Sequence, residues 1–393
     1  MDLSVVVPTL NGRRRLAACL DALDAHAPAA EVVVVNGPSA DGTTGMVRER
    51  DGVDALVEVA ERNLNVSRNA GIEHAGGDWI AFVEHDRRIE PGWHAGLAAG
   101  LGGPAGARGH AVAEGLGDTA GRAGRVGAVT GPTRSGGEGG GRGAVNAAES
   151  GGAVDDGGID PGDGLDGRDG SEDEPAGPER RTIAGREVTY FDGANAAFTR
   201  AALDAADGFD EYLQTGGARD LAHRLAVGGF GVVWNRAMSV RSGTGSEAGG
   251  ERPGGGPQSG GRGGRLEVRE PADDRIGNGG TARAMADGGH REDDWYWKYR
   301  ALAYRLAKNY GLRPTTARRL AGHAGGDALS GFRGVIGGEA SPSGWLGNGR
   351  DVLWGTLRGE AGGLLARWRD RGRHNPNGLS SRTDRAVAVY DWR

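Results

Sequence analysis

Two β-branched runs limit what this chain can fold into. LSVVVPTL (3–10) and EVVVVN (Glu31–Asn36) each carry an unbroken run of valines, ended by Pro8 in the first and followed by a Gly-Pro turn in the second. Such runs read as strands buried on both faces. Between them, Leu16, Cys19, Leu20 and Leu23 recur at helical spacing. Strand, helix, strand with uniformly apolar strands predicts a mainly parallel sheet flanked by helices, an α/β fold. Ligands of such sheets bind at the carboxyl ends of the strands. Pro8, Thr9, Asn36 and Asp41 are therefore expected on one edge.

A second stretch adds chemistry to that edge. NLNVSRNAGIEHAGGDWIAFVEHD (63–86) reads as a loop, a short helix, a Gly-Gly-Asp break and a buried strand ending in acidic residues. Glu84 and Asp86 are two apart, so in extended chain their carboxylates point the same way. That pairing suits Mg²⁺ or Mn²⁺ shared with substrate phosphates. His85, between them, points away under the same rule. Cys19 lies on the apolar helix face and reads as a core residue.

These segments, with FDGANAAFTRAALDAADGFDE (191–211), resemble family 2 glycosyltransferases of the GT-A fold. The resemblance covers about residues 3–101, 125–134 and 188–240. It implies a nucleotide-sugar donor, a divalent metal (Mn or Mg) and inverting transfer to an acceptor hydroxyl. Thr9 and Asn11 match the first nucleotide-side loop, with Pro8 beside them. Asn36 stands where the family usually has an Asp, and Asp41 matches the second acidic position. Arg68 and Asn69 match an Arg-Asn step beside the nucleotide. Glu84-His85-Asp86 matches the metal motif, with Glu84 also on the donor side and Asp86 the direct ligand. Asp192 matches the acceptor-side strand end.

One departure bears on catalysis. GGARDLAHR (216–224) replaces the family's acidic pair by Gly217 and Ala218. Asp220 matches the next acidic position and is the expected base, with Asp192 behind it. The other reading of Asp220 is a residue at a helix start, favoured there by the macrodipole.

Composition sets the domain plan. The chain has 393 residues, 77 of them Gly, and a formal net charge of −6. Residues 102–124, 134–180 and 242–291 are rich in Gly, Ala, Arg, Asp and Glu, with too few apolar side chains to offset ordering entropy. The expected plan is a GT-A catalytic domain over 1–241 with insertions at about 102–124 and 134–180, a linker over 242–291, and a helical region over 292–393. DDWYWKYRALAYRLAKNY (293–310) puts Trp297, Ala301, Tyr304 and Lys308 on one helical face, and 351–373 is a second basic amphipathic stretch. Such helices suit a membrane surface, or pack on the catalytic domain or on a second subunit.

Arg-rich, Lys-poor composition and the tail NPNGLSSRTDRAVAVYDWR suggest similarity to haloarchaeal family 2 enzymes of surface-glycoprotein N-glycosylation. In that group a hexose is added to a dolichol-phosphate-linked glycan. The expectation is thus a protein-glycosylation transferase acting on a lipid-linked saccharide. With no leader and no apolar run of membrane-spanning length, it is expected to be cytoplasmic and peripheral on the inner face of the cell membrane. The alternatives are a non-catalytic sugar-nucleotide-binding scaffold and, on the tract GGRGGR (260–265), an RGG-type nucleic-acid binder. The tract lacks interleaved aromatics and the chain is acidic, so no nucleic acid is expected.

Overall fold

A computed structural model describes residues 2–102, 125–135, 177–243, 295–336, 342–370 and 375–393. The first half alternates strands and helices: β1 (Leu3–Thr9), α1 (Arg13–His26), β2 (Glu31–Asn36), α2 (Thr43–Arg48), β3 (Ala55–Val59), α3 (Leu64–His74), β4 (Trp79–Val83), β5 (Arg87–Ile89) and α4 (Trp93–Gly102). There follow β6 (Val126–Thr130), β7 (Thr133–Ser135), the hairpin β8 (Arg180–Ile183) and β9 (Arg186–Thr189), β10 (Asn195–Thr199), α5 (Arg200–Ala206), α6 (Gly217–Val227), β11 (Gly231–Trp234) and β12 (Val240–Ser242). Three helices, α7 (Trp295–Tyr310), α8 (Pro314–Ile336) and α9 (Pro342–Arg369), precede the last strand, β13 (Ala386–Asp391).

Eight strands form one sheet in the order β11-β6-β10-β4-β1-β2-β3-β13. The β4-β1-β2-β3 centre is parallel, as uniformly apolar strands require. β10 enters antiparallel between β4 and β6, making the sheet mixed. Alternation along β1 divides two cores. Val5 and Val7 pack with Leu16, Cys19, Leu20 and Leu23 of α1, whereas Val6 packs with Ala70 and Ile72 of α3. α3 lies so close that a Cβ at Gly71 would sit 2.3 Å from Val6 Cγ1. Burial pushes the Cys19 thiol up to about 12, which keeps it protonated and inert.

The C-terminal region differs from the plan in one respect. Residues 386–391 return to the sheet as β13, antiparallel to β3, so the region is not helical to its end and the tail is part of the α/β domain. Arg385 anchors it. Its guanidinium is fully buried and pairs with Glu73 and Glu211. α7 docks on the domain through a buried cation. Lys308 donates to Asp210, to Asp220 at 3.3 Å and to Asn375 Oδ1 at 3.1 Å. Ala301, Tyr304 and Lys308 are thus an inward face, with Trp297 half-buried. The expected insertions fall largely outside the described residues. Their described margins are structured, in α4, β7, β8 and β12. Among the described residues no helix is long and apolar enough to cross a membrane.

Candidate active site

Strand register brings the site together. Thr9 pairs with Asn36, and Asn36 with Glu58, so three side chains line up on one face at the carboxyl ends of β1, β2 and β3. The loops beyond are cross-braced. The Asn11 N–H donates to Ser39 Oγ at 2.8 Å, and Asn11 Oδ1 accepts from the Ala40 N–H at 2.8 Å. Asp41 accepts from the Arg13 N–H at 2.9 Å and from the Thr43 N–H at 3.1 Å. Burial alone would raise the Asp41 pKa, but these bonds and the Thr43 hydroxyl outweigh it and hold the carboxyl below its usual range.

Asn36, expected on the donor side, belongs to the same network. It is buried, its amide donates to Thr44 Oγ1 at 3.0 Å, and its carbonyl accepts from Ser39 Oγ at 2.7 Å. Thr44 in turn donates to Glu58 at 2.6 Å. Asn36 therefore shapes the loop. Asn69 is likewise hydrogen-bonded: it donates to the Phe209 carbonyl at 2.9 Å and to Glu211 at 2.8 Å, and accepts from the Phe209 N–H at 2.8 Å. Pro8 is a strand residue, paired with Val35, whose backbone is hydrogen-bonded to His85.

The acidic motif is a turn. The Arg87 N–H donates to the Glu84 carbonyl at 2.9 Å, so the same-side rule for extended chain does not govern Glu84 and Asp86. Glu84 is taken by Arg68, at 3.3 Å. Arg68 is fully buried, donates to the Gly193 carbonyl at 3.0 Å, and stacks 5.0 Å over the Phe209 ring. Glu84, expected as a metal ligand, thus holds Arg68. Asp86 is different. Its Oδ2 accepts from Arg87 at 3.3 Å, and its Oδ1 is buried with no hydrogen-bond partner. Thr9 Oγ1 is also buried without a partner. The His85 ring packs on Gly12, where a Cβ would lie 2.3 Å from Cδ2, and burial lowers its pKa, keeping it neutral.

A buried carboxylate oxygen without a partner needs a cation or a donor. Among the described residues no group of three or more His, Cys, Asp or Glu side chains could hold a metal. The residues fit a hard cation held by Asp86 and completed by substrate phosphates, which is how Mg²⁺ and Mn²⁺ are often bound.

Residues 4–117 match the family described as glycosyl transferase family 2. The chain carries a family 2 glycosyltransferase domain. It is 31% identical to Glycosyltransferase AglE of Haloferax volcanii over 97 residues, 23% of this chain and 32% of that protein. It is 32% identical to the putative glycosyltransferase EpsH of Bacillus subtilis over 92 residues, 22% of this chain and 27% of that protein. The match thus spans about a third or less of these relatives. S. aureus TarS 1-349, solved in complex with UDP-GlcNAc, is similar at a TM-score of 0.48 and 15% identity, over 92% of this chain and 84% of that one.

Gly217 and Ala218, where the resemblance implies an acidic pair, open α6. A Cβ at Gly217 would lie 2.3 Å from Asn65 Oδ1, so a side chain there would displace the Asn65 amide from the Asp210 and Leu213 carbonyls. Asp220, the sequence-derived candidate, sits in a network of cations. It is fully buried in the first turn of α6, bonded by Arg224 Nε at 2.8 Å, Asn309 Nδ2 at 2.9 Å and Lys308 at 3.3 Å. Burial opposes its ionisation, yet the Lys308 and Arg224 charges hold its carboxyl far below the usual range. A carboxylate so held is a poor proton acceptor. Asp192 stays at the site's edge: Oδ1 accepts from the Ala194 N–H at 2.9 Å and Oδ2 from the Thr133 hydroxyl at 2.7 Å. Sequence reasoning missed Arg87, buried between Asp86 and Ser242, to which it donates at 2.6 Å. Its position directly after the acidic turn was the available signal.

Proposed function

We propose that this chain transfers a sugar from a nucleotide-sugar donor to a hydroxyl of a lipid-linked saccharide, with inversion, at the inner face of a membrane. The observation that carries the donor half is the partnerless Asp86 oxygen at the end of β4. A divalent cation there, Mn or Mg, would neutralise the departing diphosphate. The chain's own residues position the reactants, a large part of such catalysis. Arg68, locked by Glu84 and Gly193, fixes the floor between β4 and β10. Asn11, Ser39 and Asp41 hold the two nucleotide-side loops in one arrangement. Inversion requires the acceptor proton to pass to a base within hydrogen-bond reach. With Asp220 sequestered, Asp192 is the sequence-derived carboxylate that remains at the edge.

The sequestered Asp220 and the bare Gly217 favour one second reading, a sugar-nucleotide-binding scaffold without transfer. Nucleotide release separates the two. UDP-, GDP- and dTDP-sugars are incubated with Mn²⁺ and the protein, with and without polyisoprenyl-linked saccharides. Release of nucleotide that rises with acceptor supports the transferase. Tight donor binding with no release in any mixture supports the scaffold and overturns the proposal.

A further inference from the structure

The C-terminal helices present an apolar and basic surface away from the site. α9 packs on α7 through glycines. A Cβ at Gly355, Gly359 or Gly363 would lie 2.4, 2.3 or 2.4 Å from the carbonyls of Tyr296, Arg300 and Tyr304. The two helices therefore run in the same direction at close range, and the glycine stripe of α9 is its inner face. The remaining large side chains fall opposite. Leu353, Trp354, Leu357 and Leu365 are 58, 60, 50 and 46% exposed. Their spacing of three, four and eight residues keeps them on one stripe. Arg350 and Arg358 lie on the same stripe and are exposed. On the neighbouring α8, Leu329 and Ile336 are 50 and 73% exposed.

Charge selects the occupant. α8 and α9 together carry seven arginines against three acidic side chains, in a chain of formal net charge −6. Of the acidic three, Asp327 is paired with Lys298 and the exposed Asp351 lies 3.9 Å from Arg350; of the arginines, Arg367 donates to the Lys308 and Asn309 carbonyls of α7. A two-fold contact between copies would bring this basic face against itself, with few carboxylates to answer it. Leucines and tryptophan beside arginines fit the interfacial layer of a lipid bilayer, where apolar side chains enter the acyl boundary and guanidiniums stay with phosphates. We infer that the outer faces of α8 and α9 form a docking surface for an anionic lipid bilayer. This names the surface by which the proposed membrane placement would be achieved, and vesicle binding needs no donor, so either reading can fail alone.

The test is co-sedimentation of the full chain with vesicles of phosphatidylcholine alone or mixed with phosphatidylglycerol. Apolar burial contributes roughly tenfold per side chain, and each surface arginine about fivefold on an anionic membrane. The chain should sediment with the mixed vesicles, less so as ionic strength rises. Trp354→Ser/Leu357→Ser/Leu365→Ser should weaken partitioning by about 10²–10³-fold. Arg350→Gln/Arg358→Gln should weaken it by about 10–30-fold, on the anionic vesicles only. Wild-type protein that sediments with neither vesicle overturns the inference, as does an arginine-pair variant that binds like wild type. A dimer in light scattering that the triple variant dissolves would assign the face to a second copy instead. Retention on single-stranded RNA abolished by the arginine pair, with no vesicle binding, would assign it to nucleic acid.

Discussion

Replacing Asp220 by Asn separates a structural carboxylate from a catalytic one. Asp220 is buried and accepts from Arg224, Asn309 and Lys308. Lys308 is itself buried, with Asp210 as its other carboxylate. Neutralising Asp220 leaves buried Lys308 with Asp210 alone, removes the carboxylate from half-buried Arg224, and turns one acceptor into a donor. Removing one partner of a buried ion pair costs about 3–5 kcal/mol. At roughly 2–4 °C of Tm per kcal/mol for a domain of this size, Tm should fall by about 6–20 °C. The perturbed contacts, to Arg224, Lys308 and Asn309, join α6 to α7 and do not include Asp86. Donor affinity, measured by titration calorimetry below the new Tm, should therefore stay within about threefold of wild type. The refuting result is specific. An Asp220→Asn protein that melts within 2 °C of wild type, binds donor normally and loses turnover by ~10²–10⁴-fold would restore Asp220 as the base.

Two further outcomes follow from buried groups. His223 is buried against Tyr190 and Tyr310, and burial, aided by Arg305, pushes its pKa down to about 3. Its folded pKa lies below the unfolded value near 6.5, so between about pH 6.5 and 3 the unfolded chain holds a proton that the native state refuses. This histidine should therefore cost about 1.4 kcal/mol of stability per pH unit on acidification through that window. In denaturant melts across it, His223→Gln should lose about that slope, and an unchanged slope would contradict the assignment. Arg385→Met should cut the tail's anchor to Glu73 and Glu211 and lower Tm by about 5–15 °C; amides of β3 that stay fully protected from exchange in that variant would show that β13 is held otherwise.

The parallel centre of the sheet was legible because its signal is local. Val5 to Val7 and Val32 to Val35 can be buried on both faces only in such a sheet, and Leu16, Cys19, Leu20 and Leu23 mark the helix that covers one side. β13 was not legible, because a short alternating run after three helices does not say which edge it joins. Its pairing with β3 and the Arg385 anchor are contacts over some 300 residues of sequence. The site divides along the same line. Asp86 follows β4 and Arg68 lies on α3. Spacing does not reveal the hydrogen bonds that hold Asn36 and Asn69. Nor does it reveal the partners of Asp220, because Lys308 and Asn309 lie on a helix almost ninety residues away. Glu84 and Asp86 were read as extended chain, whereas the Arg87-to-Glu84 bond closes a turn between them.

The central claim is that Asp86 offers its buried oxygen to a cation shared with a donor diphosphate. Calorimetric titration of UDP, GDP and dTDP into wild type and Asp86→Ala, with Mn²⁺ and with EDTA, tests it most directly. The account predicts that wild type binds at least one of the three more tightly with Mn²⁺, by tenfold or more, a loss of about 1.4 kcal/mol when the metal is chelated. It predicts that Asp86→Ala binds that nucleotide weakly and equally under both conditions, with an unchanged melting profile. Mn²⁺-dependent affinity that survives intact in Asp86→Ala would contradict it.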